Sequence, residues 1–203
     1  MRNRSHGASE IAMDFSSLCQ KARTLRRFST TPIDPAVLRE IMENLRIANC
    51  AMNAQILRYA VVTNPALVLQ LQPLIHWAKA LPKEQGAPKK GQQPVAFILI
   101  STLGRGHAWT DIDVGIAART ISLNAMSHGI GSAMLGAVDF QKASAVLSLP
   151  ADWRPRLLLA LGYPAVQSHL VTVKEGESLA YYLNDDGDFV VPKLPLDSIC
   201  VFK

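Results

Sequence analysis

The chain has 203 residues, of which 49% are hydrophobic and 18% charged. These proportions suit one domain with a sizeable core and exclude a globally disordered chain. The net charge of +5, from 21 Lys and Arg against 16 Asp and Glu, is compatible with nucleic acid, an anionic membrane surface or a small anionic ligand.

The first twelve residues are polar and show no hydrophobic period. They lack the apolar segment of roughly 7–15 residues that a secretory signal peptide requires. We therefore predict a loose extension, a tag remnant or an upstream start over residues 1–12. A single domain is predicted over residues 13–203.

The domain is predicted to begin with a helix, a strand and a broken helix. Asp34 followed by Pro35 favours a helix start, because the carboxylate can cap the helix and proline fits its first turn. Apolar residues then recur with a helical period through Leu45. Residues 57–63 are β-branched and apolar, which predicts a strand. Residues 65–81 have a helical pattern that Pro73 should break or kink.

The middle of the chain is predicted to contain a loop, a buried strand and a long helix. Residues 83–94 are rich in Lys, Gln, Gly and Pro, which predicts a long loop. Residues 95–101 are nearly all apolar, as in a central strand buried on both faces. Residues 111–128 have the pattern of a long apolar helix, and Gly129 suits the left-handed residue that ends a helix. This helix fits a dimer face and simple core burial equally well.

The last third continues the alternation of strands and helices. We predict strands at 132–135 and 156–161, with a short helix at 140–149 between them. Asp186 and Gly187 separate two β-like runs within residues 181–191, which is the usual signal of a hairpin. Strands interleaved with helices predict an α/β-like or α+β domain around one sheet.

Cysteine usage and hydropathy indicate the cellular setting. Cys19, Cys50 and Cys200 are odd in number and widely spaced, which excludes a closed disulfide framework and favours a reducing compartment. No apolar run approaches the roughly 18 residues of a membrane-spanning helix. We therefore expect a cytoplasmic protein without a membrane partner.

The sequence offers no familiar set of catalytic side chains. It lacks Gly-x-Ser-x-Gly, His-x-x-x-His and Gly-x-Gly-x-x-Gly, and its histidines are scattered without metal-ligand spacing. We therefore predict no catalytic side chain and no metal site. Any chemistry should come from a bound organic cofactor.

Two polar clusters are candidates for binding such a cofactor. Arg23, Thr24 and Arg26 place two guanidinium groups and a hydroxyl within four residues, a combination suited to a phosphate, although a solvated charge run has the same composition. Asn53 and Gln55 precede the first strand, and side chains at i and i+2 of an extended chain share a face. Their amides pair a donor with an acceptor, which suits the polar edge of a heterocycle such as a flavin.

In their order along the chain, these pieces resemble the FMN-dependent nitroreductase family. The resemblance covers essentially everything after residue 12 and rests on the order and spacing of moderately specific segments. These segments are 23–28 (RTLRRF), 53–55 (NAQ), 93–97 (QPVAF), 113–118 (DVGIAA), 129–132 (GIGS), 160–164 (ALGYP) and 191–193 (VPK).

The resemblance implies the fold, the assembly and the binding residues. It implies an α+β fold, α/β-like in its three layers, with a central mixed, mainly antiparallel sheet flanked by helices. It also implies a homodimer with intertwined termini and FMN at the subunit interface. Carried over by position, the FMN phosphate should meet Arg23, Thr24, Arg26 and Lys193, the ring and ribityl chain should meet Asn53 and Gln55, and a backbone N–H near Leu135 and Gly136 should face the reactive ring nitrogen.

The implied activity is that of an FMN-dependent NAD(P)H oxidoreductase with a ping-pong mechanism. Electrons would pass from NAD(P)H through the flavin to a nitroaromatic, a quinone or another conjugated small molecule. Residues 66–91 are expected to cover the flavin, with His76 and Trp77 either lining the acceptor pocket or packing along the broken helix. The residues indicate no preference between NADH and NADPH.

Departures from the family pattern keep other functions open. Ala22 and Leu194 stand where a further basic residue is common, and Ile56 and Leu57 replace a Pro-aromatic pair. Fewer positive contacts would weaken FMN binding, so the alternative is a flavin-binding carrier or sensor, or a degenerate homologue with little turnover. A specialised reaction, such as reductive dehalogenation or flavin fragmentation, is a third possibility.

Nucleic acid is not expected, because no groove-reading motif or aromatic–basic interleaving is present.

Overall fold

Helices and strands alternate along the chain. The structure, a computed structural model, describes residues 13–78 and 81–203, so the extension predicted over residues 1–12 lies outside the described residues. The helices are α1 (Phe15–Lys21), α2 (Pro35–Arg46), α3 (Pro65–Leu71), α4 (Lys83–Gly86), α5 (Thr110–Ser127) and α6 (Phe140–Val146). The strands are β1 (Leu57–Val62), β2 (Ala96–Leu103), β3 (Gly131–Leu135), β4 (Trp153–Gly162), β5 (Ser168–Thr172), β6 (Tyr182–Leu183) and β7 (Phe189–Lys193).

The strands form two sheets. The larger sheet has the order β1-β2-β4-β3, and all its neighbours are antiparallel. The smaller sheet has the order β5-β7-β6, in which β5 and β7 are parallel and β6 and β7 antiparallel. The predicted α+β class is confirmed. The parallel pairing lies in the smaller sheet, which the sequence pattern did not reveal.

The larger sheet is buried on both faces, which gives the domain its three layers. Phe97 and Leu99 of β2 belong to one core cluster, to which α3 and α6 contribute. Ile98 and Ile100 belong to the other, which α2 and α5 complete. All four side chains are fully buried, as the continuous apolar run of this strand predicted.

Helix boundaries follow local capping chemistry. The Asp34 carboxylate accepts a hydrogen bond from the Ala36 N–H at 2.8 Å, which confirms the predicted start of α2. Asn64 caps α3 in the same way. The predicted break at Pro73 is confirmed, because α3 ends at Leu71, Pro73 lies in a 3₁₀ turn, Gln72–Leu74, and residues 75–78 are not helical.

Other elements differ from expectation in length or were not predicted. The loop predicted over residues 83–94 contains the short helix α4, and β4 is longer than the predicted 156–161. Helix α5 is confirmed, and Gly129 after it has a φ of 71°. The sequence pattern missed α1 and β5. None of the helices in the described ranges is long and apolar enough to cross a membrane.

Candidate functional site

The basic segment, residues 22–28, runs past the ends of β3 and β4 and is anchored by its apolar side chains. Leu25 and Phe28 are 3% and 0% exposed, and the Leu25 N–H donates to the Ser132 carbonyl at 2.9 Å. Gly162 leaves room for Phe28, because a Cβ there would lie 2.9 Å from the Phe28 Cβ. With these side chains turned inward, the polar members of the segment line two small cavities.

The first of these, the α5 cavity, lies between the basic segment, β3 and α5. It has a volume of about 130 Å³ and is lined by Ala22, Arg23, Thr24, Arg119, Ser122, Ser132 and Met134. Arg119 enters it from α5, and its Nη1 donates to the Ala22 carbonyl at 3.0 Å. Sequence reasoning missed Arg119, whose only signal is a charge within an apolar helix pattern. Ala22, where the resemblance predicts a basic residue, is itself 4% exposed.

The α5 cavity carries uncompensated positive charge. Burial and the neighbouring Arg119 guanidinium both lower the pKa of Arg23. No ion pair between described residues involves either arginine, and Arg23 Nε is buried without a hydrogen-bond partner. Two guanidinium groups that repel each other and face no carboxylate are well arranged to hold an anion.

The second cavity, the Tyr181 cavity, lies on the other side of Arg23 and Thr24. It has a volume of about 120 Å³ and is lined by Arg23, Thr24, Arg26, Tyr181, Phe189 and Val191. Arg26 stacks on the Tyr181 ring, with the guanidinium carbon 4.6 Å from the ring centroid. Burial lowers the pKa of Arg26, because the charged form loses solvation. The structure thus brings Arg23, Thr24 and Arg26 together.

Two further basic residues near this cavity differ in their surroundings. Lys193 is exposed and follows Val191 by two residues, so both side chains leave the same face of β7, roughly 7 Å apart along the strand. Arg27 is only 4% exposed, and its guanidinium donates to the carbonyls of Gly187, at 3.1 Å, and Gln85, at 3.4 Å. Arg27 therefore joins α4 to the loop before β7, whereas the exposed Lys193 forms no ion pair with the described residues.

Leu135 and Gly136 lie at the end of β3, so the strand connects them directly to the α5 cavity. Four residues separate Ser132 from Gly136, a distance of roughly 13 Å in an extended strand. The backbone of residues 75–76 lies beside the loop that follows, and the His76 N–H donates to the Ala137 carbonyl at 2.9 Å. The His76 side chain is exposed beside this loop. Trp77 instead packs against the core.

Asn53 and Gln55 lie at the opposite edge of the larger sheet, in the loop before β1. Met52, Asn53 and Gln55 have positive φ angles of 55°, 50° and 48°. Residues other than glycine are strained in this left-handed region, and such strain concentrates at functional sites. Asp113 of α5 holds the loop in place, because its Oδ1 accepts a hydrogen bond from the Ala51 N–H at 2.8 Å.

The β1 cavity, with a volume of about 330 Å³, opens beside that loop. Gln55, Tyr59 and Asp113 line it together with apolar residues and two arginines. Arg46 pairs with Glu43, and Arg58 donates to the Gln55 and Leu57 carbonyls. Asp113 is 2% exposed, and its Oδ2 lies 3.6 Å from His107 Nε2. Burial, followed by the Cys50 and Asp113 groups, raises the pKa of Tyr59 to about 12, since each disfavours a phenolate.

The two groups of predicted binding residues do not meet within one chain. Strands β1 and β3 are the two edges of the larger sheet, and β1 begins at the end of the sheet away from the bridge between Thr24 and Ser132. At about 4.8 Å per strand and 3.3 Å per residue, roughly 20–30 Å separates Gln55 from Ser132. This distance exceeds the length of one FMN molecule.

The described polar groups do not form a metal centre. Within residues 13–78 and 81–203, no three His, Cys, Asp or Glu side chains converge as metal ligands would. Three histidines instead each face a single carboxylate, in the pairs His107–Asp113, His128–Glu40 and His169–Asp188. The arrangement at the β3 edge favours anion binding.

Much of the chain is similar to known proteins. A family model described as the nitroreductase family matches residues 20–163, a range that includes the basic segment, Asn53, Gln55 and Arg119 but not Lys193. A curated relative from Thermus thermophilus, named NADH dehydrogenase, is 27% identical over 184 aligned residues. That alignment covers 77% of this chain and 90% of the relative.

Solved structures share the fold. A nitroreductase family protein from Streptococcus pneumoniae TIGR4 superposes with a TM-score of 0.66 and 20% identity, covering 94% of this chain and 100% of that one. An FMN-dependent nitroreductase from Clostridium difficile R20291 superposes with a TM-score of 0.60 and 18% identity, covering 83% and 91% respectively. At these identities the likeness establishes the architecture only.

Proposed function

Because the chain belongs to the nitroreductase family, we propose that it is an FMN-dependent NAD(P)H oxidoreductase. The observation that carries this proposal is the pair of cavities at the β3 edge, where Arg23, Arg26 and Arg119 meet without a carboxylate among the described residues. The partnerless Arg23 Nε and the like-charged neighbours fit a phosphate group. FMN bound there would take hydride from NAD(P)H and pass electrons to a nitroaromatic, quinone or other conjugated acceptor.

Each predicted binding residue has a part in this proposal. Arg23, Thr24, Arg26 and Lys193 would hold the phosphate. The backbone at residues 135–136 would lie against the ring, because β3 connects it directly to the phosphate site. Asn53 and Gln55 would offer an amide donor and acceptor to the polar edge of the ring. Their distance from the phosphate residues means that they would come from a second chain.

We therefore infer a homodimer with FMN between its subunits. Besides the separation of the two groups, exposed apolar side chains near the carboxyl terminus support this inference. Ile199, Val201 and Phe202 are 68%, 77% and 79% exposed. Three exposed apolar side chains within four residues are typical of a segment that packs against a partner. The intertwined termini predicted from the sequence would require such a segment.

Absorption spectroscopy tests the oxidoreductase proposal. The purified protein is expected to show flavin absorption or to acquire it when FMN is added, and to lose it on anaerobic addition of NADPH or NADH. Protein that takes up no FMN and oxidises neither nucleotide would contradict the proposal. Tight FMN binding without bleaching would instead support a carrier or sensor, the alternative that Ala22 and Leu194 suggest.

Subunit complementation tests the two-chain site. Arg23→Gln and Gln55→Ala homodimers are each expected to lose most activity, whereas a heterodimer of the two retains one intact site. Random pairing makes half the dimers heterodimers, so the mixture should recover about a quarter of wild-type activity. If the site lay within one chain, every site would carry a defect. Purified heterodimers without recovery would then contradict the two-chain arrangement.

A further inference from the structure

Arg119 occupies an unusual position for a charged residue of α5. The neighbouring Ala118 and Ile121 are fully buried in the core, whereas Arg119 is half-buried and lines the α5 cavity. Its hydrogen bond to the Ala22 carbonyl fixes the guanidinium beside the basic segment. A guanidinium carries five N–H donors, and within the described part of the chain this bond uses one of them. The remaining donors are available to a ligand.

Stability alone does not account for a guanidinium at this position. Arg119 disfavours the charged form of Arg23, and neither arginine pairs with a carboxylate among the described residues. A bound anion would convert this repulsion into two charge-assisted contacts. The hydroxyls of Thr24, Ser122 and Ser132 line the same cavity and add neutral hydrogen-bonding groups.

The size and position of the α5 cavity suit a phosphate group. Its volume of about 130 Å³ corresponds to about four water molecules at about 30 Å³ each. Arg23 and Thr24 line both this cavity and the Tyr181 cavity. A phosphate at that boundary can therefore be contacted from α5 on one side and from Arg26 on the other.

We propose that Arg119 binds the phosphate of the flavin cofactor together with Arg23, so that α5 supplies a positive charge that position 22 does not. The inference rests on the proposed function, because it names a further residue for the same site. It also accounts for Ala22, which packs in the core and leaves its carbonyl to orient Arg119.

The test compares FMN with riboflavin, which has the same ring but no phosphate. Dissociation constants are measured by flavin fluorescence for the wild type, Arg119→Gln, Arg119→Lys and the control Arg39→Gln, which removes the same charge from an exposed position on α2. Arg119→Gln is expected to weaken FMN binding about 10- to 100-fold, the loss of one charge-assisted bond, and to leave riboflavin binding unchanged. Arg119→Lys should recover part of this loss, and Arg39→Gln should bind both flavins like the wild type.

Each contrary result has a distinct meaning. Arg119→Gln protein that binds FMN like the wild type overturns the role of Arg119 and leaves the flavin function intact. Equal weakening of both flavins, with a lower midpoint of thermal unfolding, also overturns it, because a structural role predicts that pattern. Wild-type protein that binds both flavins equally well has no phosphate site; it overturns the Arg119 proposal and the phosphate role of the β3-edge arginines, and leaves flavin binding itself standing. Wild-type protein that binds neither flavin overturns the proposed function as well.

Discussion

The two edges of the larger sheet offer different surfaces to a ligand. At the β3 edge, arginines line two small cavities and meet no carboxylate among the described residues. At the β1 edge, a strained loop carries Asn53 and Gln55, and the buried carboxylate of Asp113 anchors it. The first edge suits negative charge, and the second suits the oriented hydrogen bonds of a neutral ring.

This difference means that the two parts of one cofactor can be examined separately. FMN and riboflavin share the ring and differ in the phosphate. Variants of phosphate-binding residues at the β3 edge should therefore weaken FMN binding alone, whereas variants at the β1 edge should weaken both flavins by similar factors. If both edges contribute to one FMN site, this protein should show both results: weaker binding of FMN alone for the β3-edge variants, and weaker binding of both flavins for the β1-edge variants.

The largest effect is expected at the residue that attaches the basic segment to the sheet. Phe28 is fully buried and packs against Gly162 at the end of β4. Phe28→Ala should lower the free energy of unfolding by about 3–5 kcal/mol, measured by urea denaturation. Phe15→Ala, at a side chain 70% exposed, is the control and should change it by less than about 0.5 kcal/mol. Similar losses in both variants would mean that Phe28 is not the anchor.

Arg26 and Arg27 are adjacent and should respond differently to substitution. Arg26→Gln removes a cation that lines the Tyr181 cavity, so FMN binding should weaken about 10- to 100-fold with little change in stability. Arg27→Gln should lower the free energy of unfolding by about 1–3 kcal/mol, because the carbonyls of Gly187 and Gln85 lose their charged donor. Fluorescence titration and urea denaturation of both variants check these outcomes. The reverse pattern would exchange the ligand-binding and structural roles of the two arginines.

A smaller effect is expected from Asp113, which acts through the loop at the β1 edge. Asp113→Asn keeps the size and one acceptor oxygen but loses the charge, and a neutral hydrogen bond is roughly half as strong. The loop should then hold Asn53 and Gln55 less firmly. FMN and riboflavin binding should both weaken by about 3- to 10-fold, or about 1 kcal/mol. The exposed Asp152→Asn is the control, and an effect on FMN alone would argue against a ring contact at this edge.

The elements that could be predicted from the sequence are those whose pattern is local. Strand β2 requires burial on both faces because its residues are nearly all apolar, and α2 begins where Asp34 and Pro35 favour a helix start. Strand β5 could not be predicted, because its mostly exposed residues are ordered by pairing with β7, about twenty residues later in the chain. The predicted break at Pro73 is, by contrast, local, because α3 ends at Leu71, two residues before a proline that cannot continue the helical hydrogen bonds.

Prediction of the candidate site was limited in the same way, to residues that lie close together in the sequence. Arg23, Thr24 and Arg26 could be grouped from the sequence because they lie within four residues. Arg119 could not, since its contact with Ala22 joins positions 97 residues apart and depends on how α5 packs. The wide separation of Gln55 from the phosphate residues follows from the strand order, which no local motif encodes.

The smallest effect concerns Tyr59, at the β1 edge. Burial above all, with Cys50 and Asp113, raises the pKa of its phenol from 10.0 to about 12. Because the folded-state pKa is the higher one, the contribution of Tyr59 to stability is complete below about pH 10 and is lost as the pH rises towards 12. Solvent near this half-buried side chain limits the loss between about pH 9 and pH 11 to less than about 1 kcal/mol. Urea denaturation at both pH values should show a larger loss for the wild type than for Tyr59→Phe. Equal losses would indicate that water reaches the β1 cavity freely, and the contrast with the desolvated arginines of the β3 edge would then disappear.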